Sequence, residues 1–199
     1  MTTLTLPKAL PTPAPKRWTT PLFHRLWEDG YFDGQKALLL DGEIIEMPFP
    51  GPLHNKVVGK VDYALKRVFG ESYWVRIQLP LVLSLWTDPV PDIAVVLGAP
   101  DDHDVNPTTA LLVVEVSDTT LSIDLGDKAD LYAAAGIADY WVLDLNNRLL
   151  HLHRDPQPDL STRSGFRYND VRQLDDSATV PPLTLPAMSL LVRDLLPKN

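Results

Sequence analysis

Glu115 stands in the run Leu111-Leu112-Val113-Val114-Glu115-Val116, one carboxylate inside a strand otherwise suited to burial on both faces. Taking an unpaired charge out of water costs several kcal/mol even after relaxation, so a glutamate there is protonated, ion-paired or bound to a cation, unless it turns to solvent at the strand end. Asp92 opens the preceding apolar run, Pro91-Asp92-Ile93-Ala94-Val95-Val96-Leu97. The Pro-Asp pair recurs at Pro100-Asp101 and Pro158-Asp159 in loop-like surroundings, so its position at the mouth of a strand, and not the dipeptide, singles it out. Carboxylates on neighbouring strands can converge on a hard cation such as Mg²⁺, which takes oxygen ligands and keeps several waters. Lys128 shares a helix face with Leu125 and Tyr132 and should lean toward the sheet; the plainer alternative is a surface pair with Asp124 one turn back, worth a few tenths of a kcal/mol.

Other residues have both a chemical and a structural reading. Glu46, closing a hairpin strand, either reaches the same cation or faces solvent. His54 starts a helix on the face of Val58, Val61 and Leu65, where it borders the site or caps and packs. Gln78, within a strand, orients a water or bonds its neighbours. Lys56, Lys60, Tyr63 and Arg67 line the other face of that helix, a stripe that fits a phosphate backbone and equally any solvated helix. His151 and His153 point to one side of a strand without a third ligand nearby, the usual mark of surface residues, and the acidic run Asp101 to Asp104 has no calcium-loop spacing. Neither a Gly-rich phosphate loop nor a Gly-x-Ser-x-Gly elbow occurs.

The elements that must position these groups can be read in order. Thr19 or Thr20 with Pro21 starts a short helix carrying Leu22, Leu26 and Trp27. Ala37–Leu40 and Glu43–Met47 form a hairpin about Asp41-Gly42, which supplies the positive φ angles of a tight turn. Apolar residues at 57, 58, 61, 64, 65 and 68 make a helix that Gly70 stops. Strands are predicted over Tyr73–Leu83, Asp92–Leu97 and Ala110–Val116, then a helix from Ile123 to Ala135 ended by Gly136. Tyr140–Leu145 and Leu149–Arg154 flank a turn at Asn146-Asn147, and a looser Pro-rich segment ends in a short strand or helix near Leu190–Leu195. The sum is an α/β (α+β) chain, a mixed β-sheet flanked by helices with an N-terminal β-hairpin.

With 199 residues, 45% hydrophobic and 22% charged, the chain has the size and composition of one globular domain, placed at 17–199 behind an extended Pro-rich tail at 1–16. No apolar run nears the roughly 18 residues of a membrane helix, and the first residues do not read as a secretory signal, so no membrane partner and a cytoplasmic location are expected. The absence of cysteine excludes disulfides, thiolate metal sites and a thiol nucleophile. A net charge of −8 sits awkwardly with nucleic-acid binding, though a carboxylate-rich metal enzyme is acidic for its own reason and can still present a basic face.

Pro91-Asp92, Glu115-Val116-Ser117, Asp124, Lys128, Tyr132, Gly136, Tyr140-Trp141 and Asp144, with Asp41-Gly42-Glu43, Glu46-Met47, His54 and Arg76-Ile77-Gln78-Leu79-Pro80 upstream, closely resemble the restriction-endonuclease-like family called Uma, for "unknown mode of action", in the PD-(D/E)xK superfamily. The resemblance covers about residues 18 to 155. It implies a restriction-endonuclease-like core in which Asp92, Glu115 and the backbone carbonyl of Val116 bind Mg²⁺ or Mn²⁺. It also implies a lysine beside the attacking water. Ser117 occupies the place of the lysine in the superfamily's Glu-x-Lys pattern, so Lys128 is the substitute, with Tyr132 in support. The implied activity is metal-dependent hydrolysis of DNA phosphodiester bonds by a homodimer. Two rivals use the same residues: a catalytically inactive DNA-binding or assembly module on the nuclease fold, and a phosphohydrolase acting on a small phosphoester.

Overall fold

The computed structural model describes residues 15–198, so the Pro-rich stretch 1–14 lies outside the described residues. Helix α1 (Thr20–Glu28) packs Phe23 against Phe32, Ala37 and Leu39 of the following segment. Strands β1 (Lys36–Leu40) and β2 (Glu43–Met47) pair antiparallel as predicted. Asp41 and Gly42 take φ of 47° and 79°, the left-handed pair that a two-residue hairpin turn requires. Helix α2 (Pro52–Phe69) starts with proline in its first turn and stops at Gly70, burying His54, Val57, Val58, Val61, Leu65 and Phe69 on one stripe.

A six-stranded sheet follows, in the order β3 (Tyr73–Ile77), β4 (Ile93–Leu97), β5 (Leu112–Ser117), β6 (Asp139–Asp144), β7 (Leu149–Pro158), β8 (Phe166–Leu174). Only β5 and β6 run parallel, joined by α3 (Leu121–Leu125) and α4 (Asp127–Ala134). Alternation along the strands makes two cores. Ile93, Val95, Leu112, Val114, Val116, Trp141 and Leu143 face α2, whereas Ala94, Val96, Val113, Tyr140 and Val142 face α4. The C-terminal stretch completes the α2 side: β9 (Thr179–Val180) pairs with β10 (Leu190–Leu191), and α5 (Val192–Leu195) with Leu196 enters the core.

Four elements differ from the sequence expectation. The strand from Tyr73 ends at Ile77, because Gln78 turns to φ 48° and Pro80 offers no N–H to a ladder. The helix predicted over Ile123–Ala135 is two helices broken at Gly126, where a Cβ would stand 2.8 Å from the Ser122 carbonyl oxygen. At the β6–β7 turn the positive φ falls on Arg148, at 56°, while the Asp144 carboxylate accepts the backbone N–H groups of Asn146 and Asn147. Strand β8 has no counterpart in the sequence expectation: of Phe166–Leu174 only Tyr168 is buried, so the strand carries almost no apolar periodicity.

At the N-terminal end of β6, Asp139 is fully buried and accepts hydrogen bonds from Arg154 (2.8 and 3.2 Å), Trp141 Nε1 (2.7 Å) and the Leu183 N–H (2.8 Å). This cluster joins β6, β7 and the C-terminal stretch on the α2 side of the sheet.

A buried acidic cluster at the mouth of the central strands

Asp92 precedes β4 and Glu115 lies in β5, at positions whose alternation turns both toward α4. Their backbones interlock them. The Val116 N–H donates to Asp92 Oδ2 at 2.9 Å, and the Asp92 N–H points at Glu115 Oε2 at 3.4 Å. The residues are only 5% and 2% exposed respectively, yet both line a cavity of about 330 Å³, bounded also by His54, Lys36, Val116, Thr120 and Lys128.

Each carboxylate has its own support. His54 Nε2 lies 3.0 Å from Asp92 Oδ2, and Gln78 donates its side-chain amide to Asp92 Oδ1 at 3.2 Å and its backbone N–H to the Asp92 carbonyl at 3.1 Å. Gln78 holds this double grip in a left-handed conformation, which costs a residue with a Cβ on the order of 1 kcal/mol. Tyr132 donates its hydroxyl to Glu115 Oε1 at 2.9 Å. Lys128 Nζ bridges Glu115 Oε1 (3.1 Å) and Asp124 Oδ1 (2.8 Å), and Asp124 also accepts from Ser117 and, at 2.6 Å, from Thr120. Lys128 therefore does pair with Asp124, but the pair is buried and not on the surface as the plainer alternative had it, and it faces Glu115. The break at Gly126 separates the helices that carry the two partners.

The electrostatics are those of a crowded acid site. Burial pushes the Glu115 carboxyl up to about 7, with the nearby Lys128 ammonium opposing and the charges of Asp124 and Asp92 reinforcing the rise. Burial also acts to raise Asp92, but the hydrogen bond and charge of His54 and the Val116 N–H outweigh it, so Asp92 lies below the ordinary aspartate range. Burial alone would lower Lys128, yet the charges of Glu115 and Asp124 override it and hold the ammonium firmly protonated. His54 is likewise disfavoured as a cation by burial and raised overall by Asp92.

The donor set suits a hard divalent cation. Among the described residues Asp92 Oδ1 meets only the Gln78 amide and Glu115 Oε2 only the long Asp92 contact, so each carboxylate keeps oxygen lone pairs for a ligand. Among the described residues no three His, Cys, Asp or Glu side chains cluster as a ready-made metal site. Mg²⁺ does not require one, since it is commonly held by one or two carboxylates with water.

Other expected residues fall elsewhere. Glu46 is exposed on β2 and does not line the cavity, whereas Met47, which alternation turns to the other face of the strand, does. Lys60 is not free on a basic stripe: its ammonium donates to the Leu196 carbonyl, while Lys56 and Arg67 remain exposed and the Arg67 guanidinium stands 5.7 Å from the Tyr63 ring. His151 and His153 are buried, not on the surface; His153 packs on Tyr140 and Tyr168, and burial, with the charge of His151, pushes it down to about 4. The acidic run Asp101–Asp104 sits on a solvated turn. Sequence reasoning misses Lys36, at the cavity edge; a lysine opening the apolar run Ala37–Leu40 is its only trace in the sequence.

A mixed sheet flanked by helices, with buried acids at its central strands, makes this an α+β domain. A putative nuclease belonging to DUF820 from Anabaena variabilis ATCC 29413 has a similar structure, with a TM-score of 0.67 at 17% sequence identity over 89% of this chain and 96% of that one. The Uma2 family model, described as "Putative restriction endonuclease", matches residues 23–193, and the chain belongs to that family. No curated protein matches it. The family match runs well past residue 155, where the sequence resemblance stops, and takes in β8 and the C-terminal segment. No helix among the described residues is long and apolar enough to cross a membrane.

Proposed function

We propose that the chain is a Mg²⁺- or Mn²⁺-dependent endonuclease that hydrolyses DNA phosphodiester bonds, with residues 17–199 forming one nuclease domain. The observation that carries this reading is the crowding of buried acids beside a cavity: Glu115 and Asp124 share the single ammonium of Lys128, Asp92 pairs with His54, and Asp92 and Glu115 both line the cavity. Asp92, Glu115 and the Val116 carbonyl would hold the ion. A divalent cation there supplies Lewis acidity toward a phosphoryl oxygen and makes water more acidic.

The chain's own groups set the rest. Lys128, fixed by Asp124 and Glu115, presents a permanent positive charge and N–H donors to the negative charge that develops on the phosphoryl group, and it orients the incoming water. Ser117 and Thr120 hold Asp124, so Lys128 keeps its aim. Tyr132 fixes Glu115, while His54 and Gln78 fix Asp92. Lys36 offers a second positive charge at the cavity edge. A homodimer, with one site for each strand of a duplex, and a cytoplasmic setting belong to the same proposal.

Incubation with supercoiled plasmid in Mg²⁺ tests it. Nicking or linearisation is expected, abolished by EDTA and reduced in Asp92→Ala on the order of 10²- to 10³-fold; cleavage that survives both treatments sinks the proposal. One observation favours an inactive binding module instead. Lys128 already neutralises part of the cluster at 3.1 Å from Glu115. Calorimetric titration with Mn²⁺ separates the two, because the inactive module takes up no cation that depends on Asp92 and Glu115.

A further inference from the structure

A second cavity of about 1000 Å³ adjoins the acidic one, and Lys36, Phe49, Pro50 and Val90 line both. Its walls carry Phe23, Trp27 and Phe49. Phe49 is 70% exposed and Trp27 39%, aromatic surface that the fold leaves uncovered.

The polar groups in this cavity are held in place. His24 Nε2 lies 2.5 Å from Oδ2 of the buried Asp88, whose backbone N–H is fixed to the Leu39 carbonyl at 2.8 Å. The other ring nitrogen of His24 has no partner among the described residues. Asn106 accepts at Oδ1 from the buried Arg76 guanidinium at 3.0 Å, which fixes its amide and leaves the N–H₂ group to donate. Gln78 borders the cavity too, while its amide reaches Asp92 Oδ1. The charged groups in the lining are Lys36, at the border with the acidic cavity, Glu28, and Asp88, whose carboxylate His24 engages. The larger cavity thus suits a flat, neutral, heteroaromatic group whose attached phosphate lies toward Lys36 and the carboxylates.

We propose that this cavity is a base-binding subsite that receives the nucleobase of an unpaired nucleotide adjacent to the phosphate being cut, with Trp27 and Phe49 as stacking surfaces and His24 and Asn106 facing the base edge. The assignment rests on the nuclease reading, since it takes the neighbouring cavity as the place of the phosphate. A base stacked inside a duplex cannot enter such a pocket, so the favoured DNA is single-stranded or has an extruded base.

Binding alone decides it. Fluorescence anisotropy would compare a short labelled oligodeoxythymidylate with an oligomer of the same length built wholly from abasic units, in Mg²⁺ and separately in EDTA. Wild type is expected to bind the thymidylate about tenfold more tightly, the effect of stacking one base. Phe49→Ala should erase that preference, and Phe49→Trp should keep it. Trp27→Ala should also erase it, but Trp27 packs at 5.1 Å on Phe32, so the exposed Phe49 is the deciding position if that variant unfolds. Equal affinity for the two oligomers, or a preference untouched by Phe49→Ala, overturns the subsite. If the preference stands and plasmid remains uncut, the nuclease reading falls alone; if plasmid is cut without any preference, the subsite falls alone.

Discussion

Two buried acid clusters lie at opposite ends of the parallel pair β5 and β6, and they are built on different rules. Around Asp139 one carboxylate meets one guanidinium, and an indole N–H and a backbone N–H occupy its remaining acceptor sites. Around Lys128 two carboxylates, those of Glu115 and Asp124, share one ammonium, Asp92 beside them leans on His54, and oxygen lone pairs of Asp92 and Glu115 still face a cavity. The first is balanced and closed; the second carries excess negative charge and is open. Burial of an acid is therefore no sign of function by itself, whereas imbalance beside a cavity is.

Removing a partner from the balanced cluster should have the largest effect. Arg154→Ala leaves Asp139 buried without its cation and should destabilise the fold by about 3–5 kcal/mol, read as a lower midpoint in urea. A loss below about 1 kcal/mol would erase the contrast, since surface pairs give as little.

The unbalanced cluster should respond in the opposite sense. In metal-free protein the Glu115 carboxyl is raised from an unfolded value of 4.5 to about 7. Its contribution to stability is thus complete below 4.5 and is lost as pH rises through about 7, an amount on the order of 3 kcal/mol. Glu115→Gln should flatten that decline between about pH 5 and 8 and leave the protein no less stable at the upper end of that range. An unchanged pH slope in urea titrations of the variant would show that Glu115 is not the group responsible.

The smallest effect tests how the open cluster is aimed. Gln78→Gly gives up the amide on Asp92 but releases the left-handed strain, so stability should change by less than about 1 kcal/mol while Mn²⁺ affinity falls roughly tenfold. Equal loss of stability and affinity would make Gln78 a packing residue only.

The open cluster is largely legible in the sequence and the closed one is not. A charge inside Leu111–Val116 and a lysine on an apolar helix face are local anomalies, visible without knowing what they touch. The Asp41-Gly42 hairpin and the Gly70 stop are legible for the same reason, because their chemistry lies within a few residues. Asp139 gives no such signal: Arg154 meets it only once β6 and β7 pair in register, and the Leu183 N–H comes from a distant part of the chain. Lys60 fits a basic stripe by spacing, and only the folded chain reveals that the Leu196 carbonyl claims it. Gly126 interrupts a helical pattern that apolar spacing alone would continue, and β8 is an edge strand too polar to announce itself.

The C-terminal clasp has a consequence for how the domain comes into being. Val192, Leu195 and Leu196 seal the side of the sheet on which Ile93, Val114 and Val116 rest, and Lys60 and Arg148 fasten to the carbonyls of Leu196 and Pro197. That stretch follows Asp92, Glu115 and Asp124 in the chain, so the packing beneath their strands is completed by residues that come after all three. A chain cut ahead of residue 192 would keep Asp92, Glu115 and Asp124 and lose the packing that Val192, Leu195 and Leu196 give the strands carrying the first two.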